Sequence, residues 1–207
     1  MAINATNKKS ESFDPVPQGA FPARIYRVIH IGTIETEWKG EKKMSNKCNI
    51  SFEFPTKTRV FKEENGEQPY VLSSEFTLSF GEKANLRQVI EGVAPDLLKI
   101  DAKGYAEEID VEKLIGRACL ATVKHKQKKD GSGVFAFIDN WTVLPEGLEC
   151  PAQVNPSQII GYENFDAKAF DALPGFIKDK MRSSLEYKKL FGDEVQVDDL
   201  NPNDIPF

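Results

Sequence analysis

The sequence predicts a mainly β fold: a five-stranded OB-fold barrel with a helix between strands three and four, then a small C-terminal helical appendage and a disordered acidic tail. Three observations carry this. Short stretches between Ala20 and Leu144 place apolar residues at every second position, the period of a half-buried strand. One stretch in their midst, Leu86, Val89, Ile90 and Val93, has helical spacing. Three strands, a helix and a two-stranded hairpin is the OB-fold order, whereas a sandwich needs more strands and a Rossmann-type fold needs alternating helices.

Residues 1–19 are polar and end in Asp14-Pro-Val-Pro-Gln-Gly19, which reads as a flexible arm and a turn. Residues 20–148 form the predicted barrel. Its first strand runs from Phe21 to Glu37, with Ile25, Val28, Ile29, Ile31 and Ile34, and Gly32 marks a bulge or sharp bend. Trp38 to Lys47 reads as a loop with Lys39, Lys42, Lys43 and Lys47. Next, Cys48, Ile50, Phe52 and Phe54 alternate with Asn49, Ser51 and Glu53, so both phenylalanines belong to the core. Residues 55–69 are charged and turn-rich, with a tight turn at Asn65-Gly66. The third strand alternates from Val71 to Phe80. Ser79 and Glu82 have capping-box spacing ahead of the helix, which Pro95 limits. Residues 96–112 hold at most a short helix. Gly116 to Lys124 and Val134 to Leu144 are the closing hairpin, turning at Asp130-Gly131.

After Pro145 the alternation stops. Residues 149–190 read as a connector and two short helices, around Phe165 to Leu173 and Phe176 to Leu185, broken at Pro174-Gly175. Such a segment is too small to fold alone, so its apolar stripe must dock on the barrel or on another subunit. Residues 191–207 are the acidic tail.

The 207-residue chain has a net charge of −5, which by itself argues against a nucleic-acid binder. Its distribution alters that conclusion. Asp193, Glu194, Asp198, Asp199 and Asp204 account for the whole excess, so the first 189 residues are neutral and free to carry local basic patches. Cys48, Cys119 and Cys150 are too scattered for a disulfide framework or a zinc site, which fits a reducing cytoplasm. No apolar leader opens the sequence, and no apolar run approaches the ~20 residues of a membrane span. Neither a phosphate-binding loop nor a nucleophile elbow is present, and Gly131-Ser-Gly133 is a hairpin turn with no helix start behind it. No cofactor, no metal and no enzymatic activity are expected. His30 reads as a structural histidine within an apolar strand, and His125 sits among lysines.

The chemistry that is present is electrostatic and aromatic. Lys39, Lys42, Lys43 and Lys47 lie between the first two strands, and Lys124, Lys126, Lys128 and Lys129 between the last two. On an OB barrel these two loops flank one groove, where single strands bind. Lysine attracts phosphate without reading sequence, and aromatic faces stack on bases at ~1–3 kcal/mol each. The stacking candidates are Trp38, Tyr70, Phe135, Phe137 and Trp141, each with core packing as its alternative. For the lysines the alternative is a solvated hairpin tip.

The last ten residues, Asp198-Asp-Leu-Asn-Pro-Asn-Asp-Ile-Pro-Phe207, are polar, acidic and punctuated by Pro202 and Pro206, with a bulky apolar side chain at the end. Asp198, Asp199 and Asp204 suit a basic pocket in another protein, and Ile205, Pro206 and Phe207 suit an apolar one. Asp204-Ile-Pro-Phe207 after scattered acids resembles the C-terminal tip of bacterial and phage OB-fold single-stranded DNA-binding proteins. The resemblance implies a protein that coats single-stranded DNA in replication, recombination or repair, in the bacterial cytoplasm. It also implies that this tip recruits partner enzymes, and it leaves room for a homo-oligomer without setting the oligomeric state. The N-terminal arm, the long insertions and the absence of a Gly-rich linker depart from that family's pattern and put a tetramer in doubt. The alternatives are a protein-binding scaffold of a replication complex and a small metal-dependent nuclease.

Overall fold

A computed structural model describes residues 14–102 and 108–192, apart from the side chain of Trp38. It is mainly β, with β1 at Gly19–Trp38, β2 at Glu41–Val60, β3 at Glu67–Thr77, β4 at Ala118–Gln127, β5 at Val134–Thr142 and β6 at Gln158–Ile160. The pairing path is β3-β2-β1-β4-β5, antiparallel throughout, and β6 adds to β1 in parallel. β3 and β5 are the two ends of this path and share no ladder among the described residues, so the sheet is open rather than a closed barrel. The helices are α1 at Asn85–Val93, α2 at Ala167–Asp171, α3 at Gly175–Arg182 and α4 at Leu185–Phe191.

The inner face collects what the alternation predicts: Cys48, Ile50, Phe52 and Phe54 of β2, Cys119, Ala121 and Val123 of β4, and Phe76 and Ile138. Helix α1 closes this core with Leu86, Val89, Ile90 and Val93. It lies close to β5 because Gly92 has no Cβ, which would collide with the Trp141 carbonyl. Ile25 and Val28 of β1 both point inward although their spacing is odd, because a register shift between Ile25 and Arg27 inserts one residue. Ile29 then faces the other way, into a second small core with Ile160, Phe170, Leu173, Ile177 and Met181. Residues 149–190 therefore dock on the outer face of β1.

Gly32 is the expected bulge. It sits at φ 92° beside a register shift, and a Cβ there would lie 2.6 Å from the Glu186 carboxylate and 2.8 Å from Ser184. The glycine thus serves both the bend and the close approach of α4.

Several expectations are corrected. The lysine-rich loop from Trp38 to Lys47 is a two-residue turn, Lys39-Gly40 at φ 53° and 83°, between strands that stay paired to its edge. Positive φ at both turn residues matches the strand twist, and the opposite charges of Glu37 and Lys42 face each other across the ladder. β2 continues through Pro55 to Val60, because a register shift between Phe54 and Thr58 accommodates the proline. Helix α1 starts behind Ala84 with no side-chain cap, so Ser79 and Glu82 form no capping box there. Residues 96–112 agree with the expectation of no more than short helix, with 3-10 turns at Pro95–Leu97 and Val111–Leu114 in the described chain. The second C-terminal helix splits in two, with Ser184 capping α4, and Leu185 is exposed. The end of the expected N-terminal arm is packed: Val16 is buried in the main core, and Asp14 pairs with Arg59. The rest of that arm and the tail beyond Gly192 lie outside the described residues.

Candidate nucleic-acid interface

The β4–β5 hairpin carries the most suggestive surface. Its register sets Lys124 opposite Phe137 and Lys126 opposite Phe135, so all four side chains share one face. Val123 and Ile138 point to the other face and are buried in the main core. His125 also turns inward, where its ring nitrogen meets the Val16 carbonyl oxygen at 2.7 Å. Phe135 is 42% exposed, and its ring centroid is 6.2 Å from that of Phe137. Lys124 reaches Asp139 at 2.7 Å. The tip is held by Lys128 N–H donating to Gly133 and by the Asp130 carboxylate accepting from Ser132, which leaves Lys128 and Lys129 exposed.

Trp141 does not join this face. A register shift between Thr122 and Val123 reverses the alternation of β5, so Trp141 stands opposite inward-facing Ala121. Its ring packs on Phe52 and Phe76, at 6.0 and 5.7 Å between centroids. Tyr70 stands opposite Phe54, packs against the main core and meets Phe61 edge-on at 5.3 Å.

The first group of lysines is separate. The Lys39-Gly40 turn follows the last residue of β1, whereas β4 pairs with its first residues, Gly19 with Val123. The two lysine-bearing hairpins therefore extend from opposite ends of β1. Lys42 pairs with Glu35 at 2.8 Å, Lys43 stands opposite Thr36, and Lys39 is exposed in the turn. Lys47 is held by Glu75 at 2.8 Å. The side chain of Trp38 lies outside the described residues, as do Asp198, Asp199, Asp204, Ile205, Pro206 and Phe207.

The outer face of β1 and β2 is covered by the chain itself. Asn49, Ser51 and Glu53 alternate as a polar face should, yet all three are buried, Glu53 completely. Its carboxylate accepts from Val154 N–H at 2.7 Å, Asn155 N–H at 2.8 Å and Asn155 Nδ2 at 2.7 Å. Arg24 donates to the carbonyls of Gly116, Cys150 and Pro151. Farther along, Glu75 accepts from both Lys47 and Lys180, and Glu186 from the N–H and hydroxyl of Thr33. Tyr162 O–H donates to the Ile31 carbonyl at 2.6 Å. Local pattern held no signal for this clamp, because a glutamate on a polar strand face reads as solvated. His30, by contrast, is the satisfied structural residue its setting implies, 2.8 Å from Asn46 Oδ1.

Burial alone would raise both outer carboxylates, but hydrogen bonds outweigh it. Lys180 and Lys47 hold Glu75 below its ordinary value of 4.5, and the Thr33 donors do the same for Glu186. A carboxylate depressed by folding adds stability that is complete above its unfolded value and lost as pH falls through the folded one. Acid is therefore expected to loosen the docking of α3 and α4. Thermal melts from pH 7 down to 3 should show a steep loss in the wild type and a shallower one in Glu75→Gln. Equal slopes would exclude Glu75 as a source. Burial pushes the Cys48 and Cys119 thiols up to about 12, far from a nucleophile's range.

Compared with known families and curated proteins, the sequence matches no family model and no curated protein. Among the described residues no three His, Cys, Asp or Glu side chains gather as a metal site, and no helix is long and apolar enough to cross a membrane.

Proposed function

We propose that this chain binds and coats single-stranded DNA without strong sequence preference, in replication, recombination or repair. The observation that carries the reading is the open β4–β5 face, with Lys124 and Lys126 set opposite Phe137 and Phe135. Cations next to aromatic faces are the two ingredients of sequence-blind single-strand binding, charge for the phosphates and π-surface for whichever base arrives. The pairing path adds support: β3-β2-β1-β4-β5 with a helix between β3 and β4 is the order of an OB-fold, a barrel that is partly open in many of its forms. The acidic tip at Asp198, Asp199 and Asp204 to Phe207 would recruit partner enzymes, a role that rests on sequence.

The test is fluorescence anisotropy of a labelled dT oligonucleotide of about 20 residues, one or more sites of ~4–16 nucleotides. The matching duplex runs beside it, without divalent metal, at two salt concentrations. Salt-sensitive binding to the single strand and weak binding to the duplex are expected. If neither binds, the reading fails and the tail remains the one functional element.

A further inference from the structure

We propose that the β4–β5 face is a two-nucleotide step, and that Asp139 competes with the DNA phosphate for Lys124. The inference rests on the single-strand reading above and adds the path of the strand and the residue that tunes its grip. Two successive unpaired bases stack on Phe137 and Phe135. Their phosphates lie over Lys124 and Lys126, so the sugar-phosphate chain follows β4 and the bases project across β5.

The spacing supports this path. Two residues along a β-strand advance roughly 6.6 Å, and the two rings are 6.2 Å apart. A stretched single strand sets its successive bases at a similar repeat. A duplex does not, since it stacks them about 3.4 Å apart and hides their faces. Each ring has one lysine directly across the ladder, which supplies one cation per nucleotide. The usual alternative path, across the outer face of β2, is filled. Asn49, Ser51 and Glu53 are buried there, Glu53 under the Val154–Asn155 connector, and Lys180 pairs with Glu75.

Asp139 enters through the register shift that sets it between Ile138 and Asn140 without a ladder partner. Its carboxylate is 2.7 Å from Lys124 Nζ, with 56% of the lysine side chain and 37% of the aspartate exposed. An exposed pair of this kind is weak enough to open. A phosphate that takes Lys124 must displace Asp139 and then sit beside its charge. Asp139 thus lowers affinity and gives the step a way to let go.

The experiment measures anisotropy of labelled dT on five variants, D139N, K124A, K124A/D139N, F135A/F137A and K42Q/K43Q, each first checked for an unchanged thermal melt. D139N is expected to bind two- to fivefold more tightly than wild type, and K124A/D139N to gain less than that over K124A. F135A/F137A is expected to bind at least tenfold more weakly, since each stacked base is worth ~1–3 kcal/mol. K42Q/K43Q, on the far hairpin, should stay within twofold of wild type. A D139N protein that binds no more tightly, or an F135A/F137A protein that binds as well as wild type, overturns the step and leaves single-strand binding standing. A wild type that does not bind at all is a different result and removes the functional reading itself.

Discussion

Replacing Glu53 with alanine is expected to cost about 3–5 kcal/mol of folding stability, although the residue sits on the polar side of its strand. The carboxylate is fully buried and accepts from three donors, two of them backbone N–H groups of Val154 and Asn155. Removing it strands all three. A buried donor without a partner costs ~1–3 kcal/mol, and partial access of water to the gap keeps the total below the simple sum. Glu53→Gln should fall between, because its amide nitrogen brings a donor to where donors already point. Urea unfolding gives the loss. Limited proteolysis gives its location, since the first new cuts should fall between Cys150 and Gln158, where the connector is released. Unfolding at an unchanged urea concentration would mean that water replaces the carboxylate at no cost.

The second large effect concerns DNA. Reversing Lys124, Lys126, Lys128 and Lys129 to glutamate should weaken single-strand binding by roughly a thousandfold at low salt. Each reversal removes an attraction and installs a repulsion, ~1 kcal/mol apiece near 4 Å in water before screening. The salt dependence is the sharper readout. With ~0.7 counterions released per contact on a single strand, four lysines imply a slope near −3 in log affinity against log salt, and the variant should approach zero. All four are exposed, so the fold should survive. The same reversal at Lys39, Lys42 and Lys43 should do far less, because that hairpin leaves β1 at its opposite end and Lys42 is already paired with Glu35. A comparable loss from both sets would mean that the strand contacts both ends of the molecule.

Much of the main core was legible in the sequence. The alternation of Cys48, Ile50, Phe52 and Phe54 and the helical spacing of Leu86, Val89, Ile90 and Val93 are local periods, and each repeats because one face of the element meets the core. Gly32 was legible as a bulge because few other residues take its backbone angle. The candidate site was legible only in its residue types. Phe135, Phe137 and Trp141 are all at odd positions, and simple alternation puts them on one face. One extra residue in β5, against the shift at Thr122 and Val123, turns Trp141 into the core and leaves the two phenylalanines outside. Likewise, eight lysines in two groups imply one groove until the pairing sends the groups to opposite ends of β1.

The sequence by itself determined the order of β1 to β5 with α1 between β3 and β4, the inner face of β2 and the cation-and-aromatic character of the last hairpin, but not β6. All are set by neighbours within a few positions, where sterics and alternation act. Tertiary structure alone decided that β1 is buried on both faces, that Glu53 anchors residues 101 and 102 positions away, and that Lys47 is held by Glu75. Those facts depend on register and on which distant segment covers which face. A polar side chain has the same local pattern whether water or a backbone N–H satisfies it.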